Sequence, residues 1–190
     1  MPNKDWWHAL WPDPEGVLRA VGIGTSIDVI DLCCGDGYFT APICRLTAPR
    51  RVIGIDLDAN MLQQAKTACR ESANFIPALG DGRDLPKLIG QPVDYVLIAN
   101  TFHGVPDKTG LARAVNQVLK PEGRFTVINW YPLPREQTVV LGQPRGPATA
   151  MRMAPEAVAR AVVPAGFESD RVVDLPPFHY GVIFVKTAPK

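Results

Sequence analysis

The sequence predicts an α/β fold in which a doubly wound, mostly parallel sheet carries helices on both faces. Strand and helix patterns alternate along most of the 190 residues, which is typical of a parallel sheet covered on two sides. Near the end of the chain, Pro176-Pro177 separates two strand patterns and favours an antiparallel hairpin at one end of the sheet. We therefore expect one domain, residues 1–190, whose last strand is antiparallel.

In the first half of the chain each strand is followed by a helix or a turn. Asp13-Pro14-Glu15 begins a short helix, because the aspartate can cap it and proline fits its first turn. Asp58 can cap a later helix in the same way. The apolar run 94–99 is typical of a central buried strand. The predicted elements are a strand at 27–32, a helix at 37–47, a strand at 52–55, a helix from 58 to about 72, and strands at 74–79 and 94–99.

In the second half proline marks where elements end. A helix over 111–119 stops at Pro121, and a fifth strand covers 124–130. Residues 131–153 show no clear periodicity, and a connection of that length is usually a functional lid or a disordered loop. A last helix starts at Pro155, and strands are predicted at 171–174 and 181–187. We expect residues 131–153 to lie over an acceptor site, and residues 1–24 to form a helical, aromatic cap.

Composition excludes several classes of protein. The chain is 46% hydrophobic, and 20 basic against 19 acidic residues give a net charge of +1, so nothing favours nucleic acid or an anionic membrane. No apolar run approaches a membrane span, and the residues from Met1 to Asp5 lack the basic and apolar regions of a signal peptide. We expect a cytoplasmic protein, monomeric or homodimeric, that binds no nucleic acid.

The four cysteines fall in predicted core elements, which suits a reducing compartment. They make no metal-ligand spacing, so no metal site is predicted. Adjacent Cys33 and Cys34 would be strained as a disulfide. Packing as small apolar side chains is the first interpretation, and a thiol or redox role is the alternative.

Acidic residues at successive strand ends indicate the kind of ligand. The turn Asp31-Leu32-Cys33-Cys34-Gly35-Asp36-Gly37 is built to bring bare backbone against a ligand. Asp56 ends the second strand about 20 residues beyond the turn, where an acid takes ribose hydroxyls. Asp81 follows the third strand and can accept from an exocyclic amine, while Asp31 and Asp36 suit an ammonium group. These carboxylates disfavour a pyrophosphate and favour a nucleoside with a cationic tail.

In these motifs the chain resembles the class I S-adenosylmethionine-dependent methyltransferases, of the small-molecule kind that includes the ubiquinone and menaquinone biosynthesis enzymes. The motifs occur in order at 31–37, 55–58, 80–86, 94–100 and 119–123. The resemblance implies a Rossmann-like fold with a seven-stranded sheet and a reversed last hairpin. It also implies that S-adenosylmethionine is the cofactor, and that its methyl group passes to a small-molecule acceptor by direct displacement.

The resemblance further implies which residues hold the cofactor. The methionine part would lie against Asp31, Cys33, Gly35, Asp36 and Gly37, the ribose and adenine against Asp56, Leu57, Asp81 and Gly82, and the methyl group beside Asn100. The family usually has glycine where this chain has Cys33, so the backbone there must fit without the freedom of glycine. Asp56 as a strand-end cap, Asp81 as a turn residue and Asp36 as a charge at a helix N-terminus are the alternatives.

The acceptor side is indicated by fewer signals. His103 follows the fourth strand and is the candidate general base, because imidazole titrates near neutral pH; a loop hydrogen bond is the alternative. Asn100-Thr101-Phe102 is not the Asn-Pro-Pro-aromatic motif of enzymes that methylate amide or adenine nitrogens. The candidate pocket residues are Trp7, Trp11, Tyr131, Arg145 and Arg152. The tryptophans could instead form a hydrophobic plug, and Arg145 could pair with the acceptor, with the carboxylate of the cofactor or with solvent.

Two other functions remain open at this point. One is a module that binds S-adenosylmethionine without turning it over, which only an activity assay separates from an enzyme. The other is a nicotinamide-dependent oxidoreductase, which predicts a sixth parallel strand where the double proline favours a hairpin.

Overall fold

We analysed a computed structural model, which describes residues 4–188 of the chain. The first three residues of the predicted cap, and the last two residues of the predicted domain, lie outside the described residues. The helices are α1 (Lys4–Leu10), α2 (Pro14–Ala20), α3 (Thr40–Thr47), α4 (Ala59–Ala68), α5 (Leu85–Leu88), α6 (Lys108–Val118) and α7 (Pro155–Val162). The strands are β1 (Val29–Leu32), β2 (Val52–Asp56), β3 (Phe75–Leu79), β4 (Val93–Ala99), β5 (Leu119–Trp130), β6 (Val139–Val140), β7 (Gln143–Pro144), β8 (Phe167–Leu175) and β9 (His179–Lys186).

Seven strands form one sheet in the order β3-β2-β1-β4-β5-β9-β8. The first five strands run parallel to one another, and β9 is antiparallel to both β5 and β8. The predicted mostly parallel sheet with an antiparallel last strand is therefore confirmed. Since the strand order reverses between β1 and β4, a ligand crevice is expected at their carboxyl ends.

Helices cover both faces, and the strand residues alternate between two apolar clusters. Ile30 and Leu32 of β1 pack in the cluster that holds residues of α5, α6 and α7. Val29 packs on the opposite face, in the cluster that holds residues of α1, α2 and α3. Because the central strands are buried on both faces, their sequences are mostly apolar runs.

Two helices begin directly after the aspartates that were predicted to cap them. The Asp13 side chain accepts from the backbone N–H of Gly16 and caps α2, and Asp58 caps α4 by accepting from Asn60 and Met61. The helix predicted from residue 37 begins instead at Thr40, because residues 33–37 form the turn that follows β1.

Two predictions for the second half were wrong in their boundaries. β5 begins at Leu119, not at residue 124, so Leu119 belongs to the strand and α6 ends at Val118. The hairpin strands β8 and β9 are longer than predicted and start at Phe167 and His179. Cross-strand pairing extends both beyond their apolar cores, since each residue from 167 to 169 and from 171 to 175 has a partner in β9.

The segment 131–153 is ordered by short elements that leave no periodic signal. Turns of 3₁₀ helix at Arg135–Gln137 and Thr149–Met151 flank the two-stranded ribbon of β6 and β7. Residues Leu141 and Gly142 connect the ribbon, and both have positive φ. Among the described residues, no helix combines the length and the apolar character needed to cross a membrane.

Candidate functional site

Two cavities meet at the carboxyl ends of β1 and β4. The acidic cavity has a volume of about 430 Å³ and the aromatic cavity about 380 Å³, and Thr101 lies on the wall of both. A third, narrow gap of about 30 Å³ shares Asn100 with the aromatic cavity and Cys33 with the acidic one. The acidic cavity is lined by Leu32, Cys33, Ile55, Asp56, Leu57, Gly80, Asp81, Gly82, Arg83, Thr101, Gly104, Val105, Pro106 and Leu111. Trp6, Trp7, Ala99, Asn100, Thr101, His103, Trp130, Arg135, Arg145, Gly146 and Pro147 line the aromatic cavity.

The turn after β1 adopts a left-handed backbone at three positions, with φ of 60° at Cys33, 55° at Gly35 and 86° at Gly37. At Gly37 a Cβ atom would lie 2.9 Å from the Cα of Ala65, so only glycine lets the turn pack on α4. Cys33 takes a conformation that costs a side chain about 1–2 kcal/mol. Burial raises the pKa of its thiol to about 12, so the thiol stays protonated at neutral pH.

Asp56 at the end of β2 is held in place by backbone donors. One carboxylate oxygen accepts from the N–H of Gly35 at 2.8 Å, and the other accepts from the N–H of Asp58 at 2.9 Å. A carboxylate has about four acceptor positions, so each oxygen retains capacity for a ligand hydroxyl. Leu57, the next residue, is 68% exposed and forms an apolar part of the same wall.

Asp81 lines the acidic cavity together with Asp56 and is paired with Arg83. Its carboxylate accepts from the backbone N–H of Arg83 at 2.9 Å and from the guanidinium Nε of the same residue. These hydrogen bonds lower the pKa of Asp81. At Gly82 a Cβ atom would approach Leu111 and Leu32 to 3.0 Å, so the absence of a side chain keeps this wall open.

The narrow gap places two further carboxylates beside Asn100. Asp31 is buried, and its carboxylate accepts from the hydroxyl of Thr40 at 2.6 Å. Burial raises the pKa of Asp31 to about 7, and the nearby charge of Asp56 adds to this effect. Asp36 is also buried and accepts from the backbone N–H of Tyr38 at 3.2 Å. The ring of Trp7 forms another wall of the gap.

Asn100 links the narrow gap to the aromatic cavity. Its φ is 59°, a left-handed conformation that asparagine tolerates better than most residues. Its side-chain Oδ1 is buried and has no hydrogen-bond partner among the described residues. A buried polar atom without a partner is uncommon in folded proteins, so this oxygen is a candidate acceptor for a bound molecule.

His103 reaches the aromatic cavity from the 3₁₀ turn that follows β4. Its ring Nδ1 lies 3.2 Å from the Oδ1 of Asn129, and the same oxygen accepts from the backbone N–H of Trp130 at 3.1 Å. Because that N–H requires an acceptor, Asn129 presents oxygen to the ring, and Nδ1 must be the donor. Nε2 then carries the lone pair. Burial lowers the pKa of His103, so the ring is neutral at pH 7.

The structure brings some of the predicted acceptor residues together and not others. Trp7 and Arg145 line the aromatic cavity, whereas Trp11, Tyr131 and Arg152 do not. Trp11 donates its indole N–H to the carbonyl of Pro176 and packs on the ring of His179. Tyr131 packs on Tyr180.

Arg152 does not line the cavity and instead donates hydrogen bonds to residues of the segment 131–153. It is 7% exposed and donates to Thr138 and to the carbonyls of Arg145 and Pro147, with its guanidinium 4.9 Å from the ring centre of Trp130. Its nearest contacts are thus with the protein, which corrects its prediction as a pocket residue.

Three large side chains of the aromatic cavity, those of Trp6, Arg135 and Trp130, were not named as pocket residues from the sequence. Trp6 lies within the N-terminal aromatic segment that was expected to cover the acceptor or to form a hydrophobic plug, and Trp130 was placed only as the end of a strand. Arg135 belongs to the aperiodic segment, where no pattern indicates which side chain faces inward. Asn129 was also missed, because its pairing with His103 depends on the contact of β5 with the turn after β4.

Comparison with known proteins gives similarities in sequence and in fold. Residues 29–123, half of the chain, match the methyltransferase domain family. A demethylmenaquinone methyltransferase from Staphylococcus aureus is 33% identical over 119 residues, which is 61% of this chain and 47% of that protein. The chain therefore spans about half the length of the curated relatives that it matches.

Solved structures resemble the chain over most of its length. An S-adenosylmethionine-dependent methyltransferase from Aquifex aeolicus is similar with a TM-score of 0.80 and 21% identity, over 96% of this chain and 93% of that chain. A fibrillarin from Aeropyrum pernix with bound S-adenosylmethionine has a TM-score of 0.67 and 18% identity, over 89% and 74% of the two chains. At these identities the similarity is one of fold.

Proposed function

Because this chain belongs to the methyltransferase domain family, we propose that it transfers a methyl group from S-adenosylmethionine to a small-molecule acceptor. The observation that carries this proposal is that the acidic and aromatic cavities meet at Thr101, while Asn100 joins the narrow gap to the aromatic cavity. A cofactor in the first cavity can there face an acceptor in the second. A location in the cytoplasm and a monomeric or homodimeric state stay predictions.

The residues of the acidic cavity fit the nucleoside part of this cofactor. Asp56 has acceptor capacity for both ribose hydroxyls, and Leu57 offers an apolar surface to the adenine. Asp81 would accept from the adenine amine, in competition with Arg83. The backbone at Gly82 can approach the ring edge, because no side chain stands in the way.

The residues that line the narrow gap suit the cationic tail of the cofactor, but the gap is too small to hold that tail. Asp31, Asp36 and the unpartnered Oδ1 of Asn100 are all acceptors for an ammonium group. A gap of about 30 Å³ holds about one water molecule. Residues that line the gap must therefore shift when the amino-acid tail binds.

When bound, S-adenosylmethionine supplies an electrophilic methyl group on its sulfonium, and the protein must align the acceptor and exclude water. His103 would take the proton of an acceptor hydroxyl or amine through Nε2, because Asn129 fixes the hydrogen on Nδ1. Its lowered pKa keeps this nitrogen unprotonated at pH 7. Thr101 lies on the wall that the acidic and aromatic cavities share.

The test is an assay of S-adenosylhomocysteine formation with a panel of phenols, anilines, thiols and amines. We expect turnover with at least one class, and for that acceptor a His103→Gln variant with kcat lowered about 100-fold or more. A matched Lys108→Gln variant, which changes a cation near His103, should keep most of the activity. A chain that binds S-adenosylmethionine yet forms no product with any class would be a binding module instead. Undiminished kcat in His103→Gln would contradict the assignment of the base.

A further inference from the structure

We propose that the acceptor is a planar aromatic molecule that carries an anionic group, held between the tryptophans and arginines of the aromatic cavity. This inference rests on the proposed function and names the substrate class of the same site. A cavity of about 380 Å³ lies at the lower end of the range for small-molecule sites, which suits one or two fused rings.

Three indole side chains, those of Trp6, Trp7 and Trp130, line the cavity, and the Arg145 guanidinium lies 6.0 Å from the ring centre of Trp6. Trp6 and Trp7 are stacked with ring centres 4.0 Å apart, and Trp6 lies 6.2 Å from Trp130 at an angle of 41°. Trp6 is 3% exposed, and its indole N–H has no hydrogen-bond partner among the described residues. Aromatic pairs gain from offset or edge-to-face contact, so these walls favour a ring over an aliphatic chain. The unpaired N–H adds one donor for a ligand oxygen.

The charge on the wall has one sign. Arg135 and Arg145 line the cavity, and among the side chains that the structure describes no aspartate or glutamate does. Within the part of the chain that the structure describes, neither arginine has a carboxylate within 4 Å; Arg135 donates Nε to the carbonyl of Gly146 and Arg145 donates Nε to that of Val140. A guanidinium held by Nε can still present its terminal N–H groups to a carboxylate or phosphate.

Arg152 strengthens the positive field from behind the wall. It is buried, its Nη1 has no partner among the described residues, and it donates to the carbonyl of Arg145. Its charge reaches the cavity, because it contributes to the lowered pKa of His103. An anionic group beside Arg135 and Arg145 would supply the carboxylate or phosphate partner that these two arginines lack among the described residues.

The carboxylate of the cofactor is the alternative anionic partner for Arg135 and Arg145. The narrow gap, where the amino-acid tail is expected, is lined by Asp31, Asp36 and Asn100 and contains no arginine. The acidic cavity contains Arg83, which is paired with Asp81. Arg135 and Arg145 line only the aromatic cavity, beside His103, so we assign them to the acceptor.

Binding of probe acceptors to protein saturated with S-adenosylhomocysteine tests this inference. The quenching of tryptophan fluorescence measures this binding. Each anionic probe is paired with a neutral analogue: 4-hydroxybenzoate with 4-hydroxybenzamide, and 1-hydroxy-2-naphthoate with its amide. Phenyl phosphate distinguishes a phosphate from a carboxylate as the anion, and cyclohexanecarboxylate tests the need for a ring. We expect the anionic aromatic probes to bind about tenfold or more tightly than their amides and than cyclohexanecarboxylate.

Arg145→Gln and Arg135→Gln should each weaken binding of the anionic probe about tenfold, with Arg145→Lys intermediate. Arg113→Gln, an exposed change on α6, is the control and should have no effect. The Kd of S-adenosylhomocysteine, measured by calorimetry, should stay the same in all variants. Equal binding of amide and carboxylate, no quenching by any anionic probe, or a raised Kd for S-adenosylhomocysteine in Arg145→Gln would each overturn the inference. Failure of the wild type to bind S-adenosylhomocysteine would instead overturn the proposed function.

Discussion

Buried polar side chains at the ends of β1 and β4 combine strain with unused hydrogen-bonding capacity. Cys33 and Asn100 both have positive φ, and Asn100 leaves a buried oxygen without a partner. Asp31 is buried with Thr40 as its one side-chain partner, which leaves its charge poorly compensated. Such features destabilise a free protein and become favourable when a ligand supplies the missing partner.

We expect Asp31 to make the binding of S-adenosylmethionine depend on pH. Its pKa is raised to about 7, so about half of the free protein carries it protonated at pH 7, and only the ionised form attracts an ammonium group. The fraction ionised rises with pH, so we expect the affinity for S-adenosylmethionine to increase about tenfold between pH 6 and pH 8. Calorimetry across this range measures the slope.

Asp31→Asn is the variant for this prediction, because an amide can still hydrogen-bond to Thr40. It should bind S-adenosylmethionine more weakly than the wild type at pH 8 and with little dependence on pH. If the wild-type affinity does not change between pH 6 and pH 8, the charge of Asp31 does not contribute to binding of the cofactor.

The segment 131–153 supplies Arg135, Arg145, Gly146 and Pro147 to the wall of the aromatic cavity, although its pattern predicts no regular structure. Gly146 has φ of 85°, and a Cβ there would lie 2.7 Å from the ring of Trp130. Arg152 stacks on the same ring and donates hydrogen bonds to two carbonyls of the segment, those of Arg145 and Pro147. Sequence reasoning could foresee a lid here from its length, but not which residues face inward, since contacts with a distant tryptophan decide that.

Gly146→Ala should displace this segment from Trp130. We expect a loss of about 2–3 kcal/mol in the free energy of unfolding, from left-handed strain of about 1–2 kcal/mol and the forced shift of the ring or loop. Denaturation in urea measures it. The Kd for S-adenosylhomocysteine should change little, because Gly146 lines only the aromatic cavity.

Gly142→Ala is the matched control for Gly146→Ala. Its φ is 71°, and a Cβ there would have no atom within 4 Å, so strain alone should cost about 1–2 kcal/mol. Equal losses in the two variants would show that the contact of Gly146 with Trp130 does not hold the segment.

At the scale of the whole molecule, the parallel sheet gathers residues that are far apart in sequence. Asp31 and Asp56 lie at the carboxyl ends of β1 and β2, and Asp81 and Asn100 follow β3 and β4. Their proximity follows because the ends of neighbouring parallel strands share one edge of the sheet. That part of the site was predictable from periodicity and strand-end residues alone. The aromatic cavity was only partly predictable, because Trp6, Arg135 and Trp130 come from an N-terminal helix, an aperiodic segment and the end of β5. Their meeting depends on packing, which leaves no local pattern.

The binding of S-adenosylhomocysteine, measured by calorimetry on the wild type and on Asp56→Asn, tests the central claim most directly. We expect the wild type to bind and Asp56→Asn to bind about 10-fold to 100-fold more weakly, because the variant loses the charged acceptor for the ribose hydroxyls. Asp58→Asn is the control, since asparagine caps α4 as well as aspartate does and the same charge is removed two residues away. NAD should give no binding heat. Binding of NAD in place of S-adenosylhomocysteine, or equal affinity in the wild type and Asp56→Asn, would contradict the account.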